Sequence, residues 1–216
     1  MTRPVCLILG AGAGIGGHVA KRFAREGYHA CLARRTDKPG LDRWVAEIEA
    51  EGGSATGFIV NAVEEGSIEQ LVTHIEADVG PIAVAVFNLG AQIGDRGLAS
   101  TTLKQFEMGW RMATFGLFRL AQVLFPYMQQ RGKGALLVTS ATAAMLCQSL
   151  NAQFAAKGIH VAHIVIDGSV DAPDTLGKML GPERFAALRE KKGLEHDGLL
   201  LPAEVANTYY HLAHQH

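Results

Sequence analysis

Residues 6–35, CLILGAGAGIGGHVAKRFAREGYHACLARR, constrain the fold more than any other part of the chain. Their pattern predicts an apolar strand, a glycine-rich turn, an amphipathic helix and a second strand in direct succession. Glycine at positions 10, 12, 14 and 16 frees the backbone to turn sharply and to approach a pyrophosphate, which the amide groups at the helix N-terminus would meet. This arrangement indicates a β-α-β unit that binds a dinucleotide.

The tip of the second strand indicates which dinucleotide is preferred. A coenzyme without a 2'-phosphate is usually held by an acidic residue about 20 residues after the glycine turn, whereas a 2'-phosphate calls for arginine. Arg34 and Arg35 occupy this tip, and a guanidinium group can pair with phosphate through two hydrogen bonds. NADP(H) is therefore favoured, and the nearby Asp37 leaves NAD(H) as the alternative.

The rest of the chain alternates short apolar runs with longer segments of helical period. This pattern is typical of a parallel sheet that is covered on both faces. We predict an α/β fold of the Rossmann type, a doubly wound parallel sheet of six strands in a single domain over residues 1–216. The predicted strands are residues 5–9, 29–33, 55–60, 82–88, 135–139 and 159–166.

Several helices can be placed from their periodicity and their first residues. Residues 68–79 have an apolar stripe that would pack on the sheet. Thr102 and Gln105 have the spacing of a capping box, which predicts the start of a long helix toward Arg131. Later helices are predicted to start at Pro173, Pro182 and Pro202. The glutamates beside the apolar stripe are expected to face water: Glu64, Glu65, Glu69 and Glu76.

Composition and charge exclude several classes of partner. A hydrophobic content of 48%, a charged content of 19% and a formal net charge of -1 give no electrostatic reason to bind nucleic acid or an anionic membrane. No apolar run approaches the ~18 residues of a membrane span, and we expect no secretory leader before the first strand. Cys6, Cys31 and Cys147 lack metal-ligand spacing and are expected to be reduced and structural. We therefore expect a soluble cytoplasmic protein without a metal.

Four segments, taken in order, resemble the short-chain dehydrogenase/reductase family. They are the Gly10-x-x-x-Gly14-Ile15-Gly16 turn, FNLGA at 87–91, GKGALLVTSATAA at 132–144 and KGIHVAHIVIDGSVD at 157–171. The resemblance covers nearly the whole chain. It implies a Rossmann-type sheet, whose seventh strand we expect to be missing here, and an NAD(P)-dependent oxidoreductase that interconverts a carbonyl and an alcohol on a small molecule. It also implies a homodimer or homotetramer formed through the helices that flank the fifth strand.

The resemblance implies which residues would contact the coenzyme. Asn61 stands where the family often has aspartate, and its amide oxygen can still accept a hydrogen bond from the adenine amino group. By this resemblance the pyrophosphate and its adjoining ribose would contact Gly10, Gly14, Ile15 and Gly16. The 2'-phosphate would contact Arg34 and Arg35, and the adenine would contact Asn61 and Ala62. The ribose would contact Asn88 and Gly90, and the nicotinamide end would contact Gly168 and Val170.

The catalytic side chains of the family do not carry over. Family members typically use a tyrosine as acid/base, a lysine four residues further on, a serine that orients the carbonyl, and an asparagine for a proton relay. The position of the serine falls on Ala141, with Ser140 and Thr142 as the nearest hydroxyl candidates, and the asparagine position falls on Ala113. No Tyr-x-x-x-Lys sequence occurs, because the residues four places after the tyrosines are Leu32, Arg131, Ala213 and His214. The catalytic residues therefore stay unassigned.

The chain is also short at the place where the family carries the tyrosine and the lysine. Only 17 residues separate Ser140 from Gly158, and a substrate loop with a full return helix would need roughly twenty more. Two explanations stay open: a deletion in the chain itself, or residues left out of the numbering between Met145 and Leu146. We favour the second, because substrate loops are commonly mobile lids.

Three functions are compatible with these observations. The first is an NADP-preferring short-chain oxidoreductase. The second is a non-catalytic NADP(H)-binding protein of the same fold, a sensor or partner, which Ala113 and Ala141 favour. The third, an S-adenosylmethionine-dependent methyltransferase, is the weakest, because it would normally have an acidic residue where Arg34 stands.

Overall fold

Six parallel strands form one sheet in the computed structural model, which describes residues 3–90, 99–139, 143–166, 168–192 and 199–215. The strands are β1 Val5–Leu9, β2 His29–Arg34, β3 Ser54–Ile59, β4 Ile82–Phe87, β5 Gly134–Thr139 and β6 Ile159–Ile164. Their order across the sheet is β3-β2-β1-β4-β5-β6, and each neighbouring pair is parallel. The predicted doubly wound sheet is confirmed, and the predicted strand ends agree to within two residues.

The central strands are covered on both faces. All five residues of β1 are buried, and so are the inner four residues of β2 and of β5. This double burial explains why these strands are unbroken apolar runs and not alternating patterns. β3 and β6 are the outer strands among the described residues, which contain no seventh strand, and both are less buried.

Helices form a layer on each face of the sheet. They are α1 Ile15–Arg25, α2 Lys38–Ala50, α3 Ser67–His74, α4 Leu103–Trp110, α5 Gly116–Arg131, α6 Ala144–Phe154, α7 Lys178–Leu180, α8 Pro182–Lys192 and α9 Pro202–Ala213. Apolar side chains of α1, α2 and α9 pack in one core cluster, and those of α3, α5 and α6 pack in the other. None of the helices described here has the length and apolar character that a membrane crossing requires. Because all strands are parallel, their carboxyl ends share one edge of the sheet.

α4 and α5 form one long helical segment, because a π-helical turn, Arg111–Phe115, joins them. The predicted capping box opens it: Thr102 Oγ1 accepts a hydrogen bond from the Gln105 amide at 3.2 Å, and Gln105 Oε1 accepts one from the Thr102 amide at 2.8 Å. The helix starts predicted at the three prolines are confirmed as well, at the π-helical turn Pro173–Gly177, at α8 and at α9.

α6 covers the place where residues were expected to be missing from the numbering. The helix runs through Met145 and Leu146 without a break, and Ser149 Oγ donates a hydrogen bond to the Met145 carbonyl oxygen at 3.0 Å. In the sequence Leu146 directly follows Met145 with no residue left out of the numbering, so that expectation is wrong and the chain itself is shorter here than the family pattern. Cys147 and Leu150 are the buried residues that attach the helix to the core.

A partly buried ion pair joins the ends of α3 and α5 to the start of β4. Glu76 lies in the π-helical turn Ile75–Val79 that continues α3, and it accepts two hydrogen bonds from Arg131, at 2.7 and 2.9 Å. Its Oε1 also accepts a hydrogen bond from the Ile82 amide at 3.1 Å, and Arg131 donates to the Ile82 carbonyl oxygen at 3.0 Å. The Glu76 side chain is only 6% exposed. The expectation that it faces water is therefore wrong, because a distant arginine covers it.

The last helix, α9, packs on the first, α1. The rings of Phe23 and Tyr210 lie 5.3 Å apart between centroids, and the guanidinium carbon of Arg22 lies 4.1 Å from the Tyr210 ring centroid. Arg22 Nε also donates a hydrogen bond to Asn207 Oδ1 at 2.8 Å, across 185 positions of sequence. The two ends of the chain thus cover the same face of the sheet together.

The cysteines are buried and free, as the sequence predicts. Burial raises the pKa of Cys31 to about 12 and that of Cys147 to about 11. Burial also raises the pKa of Cys6 well above its ordinary value. All three thiols therefore stay protonated near neutral pH and act as small apolar core residues.

Candidate functional site

The glycine turn between β1 and α1 fits closely against two neighbouring strand ends. Gly10 has a φ of 93°, in the left-handed region that favours glycine. A Cβ atom on Gly10 would lie 2.4 Å from the Asn88 carbonyl oxygen, and one on Gly16 would lie 2.2 Å from the Gly10 carbonyl oxygen. On the other side, the amides of Gly10 and Ala11 donate to the Ala33 carbonyl oxygen at 2.9 and 3.0 Å. The turn therefore has no room for a side chain at Gly10 or Gly16.

The first turn of α1 presents amide groups that no side chain caps. Gly14 is the N-cap residue and makes no side-chain hydrogen bond, and the Gly17 amide donates to the Gly12 carbonyl oxygen at 3.0 Å. Nothing lies within 4 Å of the place where a Cβ atom of Gly12 would stand. The positive end of a helix beside open space is an arrangement that binds phosphate groups.

Asn88 ties the glycine turn to the end of β4. Its Nδ2 donates a hydrogen bond to the Gly10 carbonyl oxygen at 3.1 Å, and its backbone amide donates to the Leu9 carbonyl oxygen at 2.8 Å. Gly90, two residues further on, is exposed, and nothing lies within 4 Å of its Cβ position. The two predicted ribose contacts thus follow β4, the strand beside the glycine turn. Asn88 is half-buried, and Gly90 is open to solvent.

The two arginines at the end of β2 have different surroundings. Arg34 Nη1 lies 3.1 Å from Asp37 Oδ2, whereas Arg35 is exposed. Asp37 has a φ of 63° and caps α2, because its Oδ1 accepts a hydrogen bond from the Gly40 amide at 3.1 Å. Asp37 therefore holds Arg34 at the strand end and is itself engaged by both Arg34 and α2.

The loop after β3 is a hydrogen-bonded turn that starts at Asn61. The Asn61 carbonyl oxygen accepts hydrogen bonds from the Glu64 amide at 3.0 Å and from Ser67 Oγ at 2.8 Å, and Asn61 Nδ2 donates to Glu64 Oε1 at 2.9 Å. Ala62 is buried beneath the turn. A cavity of about 350 Å³ adjoins it, lined by Ile59, Val60, Asn61, Glu64, Ser67, Gln70 and Leu71. Of the two predicted adenine contacts, Asn61 therefore lines a cavity of ligand size, and Ala62 does not.

Gly168 and Val170 lie in the loop that follows β6. Val170 forms a parallel bridge with Leu200, the Asp171 amide donates to the Leu200 carbonyl oxygen at 2.9 Å, and the Leu200 amide donates to the Ser169 carbonyl oxygen at 2.9 Å. The segment that leads into α9 thus fixes this loop. Because β6 is parallel to β1, the loop leaves the sheet at the same edge as the glycine turn.

The predicted hydroxyl candidates follow β5. Ser140 and Thr142, with Ala141 between them, lie outside the described residues. Thr139, just before them, forms a hydrogen bond between its Oγ1 and the hydroxyl group of Tyr209 in α9. Tyr209 is fully buried, and burial raises its pKa to about 12. Its hydroxyl group therefore stays protonated near neutral pH and anchors α9 to the end of β5.

The predicted coenzyme contacts all follow strand ends at one edge of the sheet. They lie at or beyond the carboxyl ends of β1, β2, β3, β4 and β6. In open α/β sheets ligands bind in the crevice at this edge, where the strand order reverses, which is between β1 and β4 here. The close-fitting turn, the uncapped helix end and the two arginines suit a dinucleotide with several phosphate groups. Among the described residues no three metal-ligating side chains form a cluster.

Two residues near this edge are missing from the sequence-based set. Tyr209 anchors the end of β5, and an aromatic residue in a predicted helix gives no sign of such a partner. Arg119 in α5 donates a hydrogen bond to the Ala62 carbonyl oxygen at 2.9 Å. A lone charged residue in the apolar run GLFRLAQVLF was the one signal that could have marked it.

Comparison with known proteins bears directly on this edge. Residues 4–165 match the short chain dehydrogenase family. A fatty acyl-CoA reductase from Acinetobacter baylyi is 34% identical over 134 residues, which cover 62% of this chain and 45% of that protein. The chain spans about half the length of the curated relatives that it matches.

Solved structures share the fold over nearly the whole chain. L-sorbose reductase from Gluconobacter frateurii, complexed with NADPH and L-sorbose, has a TM-score of 0.85 at 21% identity, over 98% of this chain and 90% of that one. A 7α-hydroxysteroid dehydrogenase complexed with NADH and 7-oxo glycochenodeoxycholic acid has a TM-score of 0.83 at 23% identity, over 98% and 88% of the two chains. At these identities the likeness establishes the fold.

The family match runs from the start of β1 to the end of β6. It therefore includes the glycine turn and the loops after β2, β3 and β4 that carry the predicted coenzyme contacts. Sheet order, turn geometry and sequence match lead to the same assignment. The chain belongs to the short chain dehydrogenase family.

Proposed function

We propose that the chain binds a nicotinamide dinucleotide across the carboxyl edge of the sheet and prefers NADP(H) to NAD(H). The glycine turn carries the proposal: Gly10 and Gly16 leave no room for a side chain, and the helix end beyond them is uncapped and open at Gly12. Arg34 and Arg35 support the preference, because they bring two guanidinium groups to the neighbouring strand end. NADPH and NADH in the solved structures support a nicotinamide coenzyme in general.

We further propose oxidoreductase activity, the interconversion of a carbonyl and an alcohol on a small molecule. The family match and the relatives, which include reductases and dehydrogenases, support it. When bound, the coenzyme supplies or takes up a hydride at its nicotinamide ring. The chain's own residues would hold the pyrophosphate at the glycine turn and the nicotinamide end at Gly168 and Val170. Ser140 and Thr142 are the nearest hydroxyl groups for orienting a substrate.

Titration with NADPH and NADH tests the binding proposal. We expect saturable binding with an affinity for NADPH about tenfold or more above that for NADH, because hydrogen bonds to charged groups contribute about 1.5–3 kcal/mol each. Arg35→Ala should lower the NADPH affinity about tenfold and leave the NADH affinity unchanged, since it removes a partner of the 2'-phosphate alone. Coenzyme fluorescence or calorimetry gives both affinities.

Arg25→Ala is the matched control for this titration. Arg25 lies in the last turn of α1, far along the helix from the glycine turn, and pairs with Glu51. The control should leave both affinities unchanged. An equal loss in R25A and R35A would show that only overall charge matters and would contradict the role of Arg35. A wild-type chain that binds neither coenzyme would contradict the binding proposal itself.

A second candidate function is an NADP(H)-binding protein without turnover, a sensor or partner. The residues expected to act on the substrate favour this second candidate. The sequence contains no Tyr-x-x-x-Lys, and at the position of the relay asparagine it has Ala113, whose methyl group is buried. NADPH oxidation with a broad panel of aldehydes and ketones separates the two candidates. Turnover supports the oxidoreductase, whereas tight NADPH binding without reduction of any compound supports the second candidate.

We also propose that the chain forms a homodimer or homotetramer through the helices that flank β5, namely α6 and the continuous segment of α4 and α5. A large exposed apolar surface on a soluble protein commonly marks an interface. The rings of Trp110 and Phe115 stack there with centroids 5.5 Å apart. Sedimentation equilibrium should give the mass of a dimer or tetramer, and Phe118→Glu should shift it to the monomer; a wild-type monomer would contradict the proposal. The exposed apolar side chains of this segment are Leu103, Phe106, Met108, Trp110, Phe115 and Phe118.

A further inference from the structure

Arg119 is a charged residue that is buried as a whole residue. It lies in α5 and is 7% exposed, among the apolar residues of that helix. A guanidinium group is stable in such a place only when its charge is paired and its donors are used. The partners of Arg119 therefore show which part of the molecule it holds.

All the partners of Arg119 belong to the loop after β3 and to the helix that follows it. Nη1 donates a hydrogen bond to the Ala62 carbonyl oxygen at 2.9 Å, and Nη2 donates to the Glu64 carbonyl oxygen at 2.9 Å. Nε and Nη2 donate to the two carboxylate oxygens of Glu69, in the first turn of α3, at 2.8 and 2.5 Å. One planar group thus fixes two loop carbonyl groups and the start of a helix relative to α5.

This loop carries the residues that we propose for the adenine. Asn61 directly precedes Ala62, and its side chain and its carbonyl oxygen are both hydrogen-bonded to Glu64. Asn61 and Glu64 also line the cavity beside the turn. Arg119 therefore holds the carbonyl groups at the buried side of the turn, while the side chains of the turn adjoin the open side. The turn that carries Asn61 is thus hydrogen-bonded to a side chain from another helix.

The arrangement requires arginine in particular. A lysine carries its donors on a single nitrogen and cannot span two carbonyl oxygens and a carboxylate in one plane. Hydrogen bonding by Arg119 lowers the pKa of Glu69, and hydrogen bonding to Glu69 raises the pKa of Arg119. Both groups therefore stay charged near neutral pH, as the ion pair requires.

We propose that Arg119 is a positioning residue for the adenosine half of the coenzyme, acting through Ala62 and Glu64 on Asn61. The inference rests on the proposed NADP(H) binding and adds a determinant of affinity that lies in α5, beneath the loop. Loss of the hydrogen bonds of Arg119 would release the turn and lower the affinity for every ligand that carries the adenosine half.

Arg119→Lys tests the inference with two ligands, NADPH and adenosine 2',5'-bisphosphate. We expect both to bind about tenfold more weakly than to the wild type, and by the same factor, because the loss lies in the half that they share. Calorimetry gives the affinities, and thermal unfolding of each variant gives the stability. Arg131→Lys is the matched control, since Arg131 also bridges a carboxylate and a carbonyl oxygen from α5 but does so at the start of β4. It should lower the thermal stability and leave both affinities as in the wild type.

Three outcomes would overturn the inference: wild-type affinities in R119K, a loss for NADPH without a loss for the bisphosphate, or equal losses in R119K and R131K. If R119K does not fold, Glu69→Gln is tested in its place. This change weakens the hydrogen bonds between residue 69 and Arg119 and leaves the hydrogen bonds of Arg119 to the Ala62 and Glu64 carbonyl oxygens. A loss of affinity for both ligands that is smaller than tenfold supports the inference, and unchanged affinities overturn it. A wild-type chain that binds neither ligand contradicts the proposed function instead, so the two failures are distinguishable.

Discussion

Replacing Arg131 by alanine is expected to lower the free energy of unfolding by about 3–5 kcal/mol, because it leaves a buried carboxylate without its cation. The Glu76 side chain is 6% exposed, and two of its hydrogen bonds come from Arg131. The same change removes the hydrogen bond to the Ile82 carbonyl oxygen, where β4 begins. Urea unfolding followed by circular dichroism measures the loss, which would be a large fraction of the stability of an ordinary domain.

Lys38→Ala is the control for this prediction. Lys38 pairs with Asp42 at 2.7 Å, but the two side chains are 69% and 56% exposed. An ion pair in water contributes little, so we expect a change below about 1 kcal/mol. Arg131→Ala combined with Glu76→Gln should recover part of the loss, because it removes the stranded charge. If R131A lowered the free energy of unfolding no more than K38A does, water would have to reach the Glu76 carboxylate, and the prediction would be wrong.

Gly16→Ala is expected to have the second large effect. The new Cβ atom would lie 2.2 Å from the Gly10 carbonyl oxygen and 2.9 Å from the Ala11 Cα atom. Both are backbone atoms, so only a movement of the whole turn relieves the contact, at a cost of about 2–3 kcal/mol. The displaced turn would no longer present its amide groups to a pyrophosphate, and NADPH affinity should fall about tenfold or more.

Gly12→Ala is the matched control within the same turn. Nothing lies within 4 Å of its Cβ position, so the free energy of unfolding should stay within about 1 kcal/mol of the wild type. If the coenzyme lies in the open space there, NADPH affinity should nevertheless fall. G16A thus tests the effect of a distorted turn, and G12A tests the effect of a side chain in the open space beside an undistorted turn. Equal stabilities of G16A and G12A would contradict the close fit at Gly16.

The sheet could be predicted because its signals are local to each segment. β1, with the sequence VCLIL, has no charged side chain that would mark a solvent face, and it is buried throughout. The capping box is equally local, since Thr102 and Gln105 lie three positions apart. Where a residue and its partner lie within one element, sequence spacing is enough to place both.

Glu76 and Arg119 show what periodicity cannot supply. The helical period of α3 puts Glu76 on the polar side, yet Arg131 covers it from 55 positions away in sequence. Arg119 finds its partners 50 to 57 positions away. Periodicity describes one helix at a time, and the pairing of charged residues depends on how two helices meet.

The sequence supplies more candidate residues for the proposed coenzyme contacts than for the substrate side. Gly10 and Gly16 stand where the structure has no room for a Cβ atom, and a requirement for glycine is visible in the sequence itself. The substrate side depends on side chains from several elements, and the family pattern for them fails here at Ala113 and Ala141. Tyr209 reaches the end of β5 from 70 positions away, which no local pattern indicates.

The contact of the last helix with the first has a consequence for biosynthesis. Arg22 and Phe23 meet Asn207 and Tyr210 only after residue 210 has been translated. Until then the part of this sheet face that α1 and α2 do not cover stays open, and a loop of 185 positions has to close before α9 can pack there. This part of the core is therefore completed only after α9 has been synthesised.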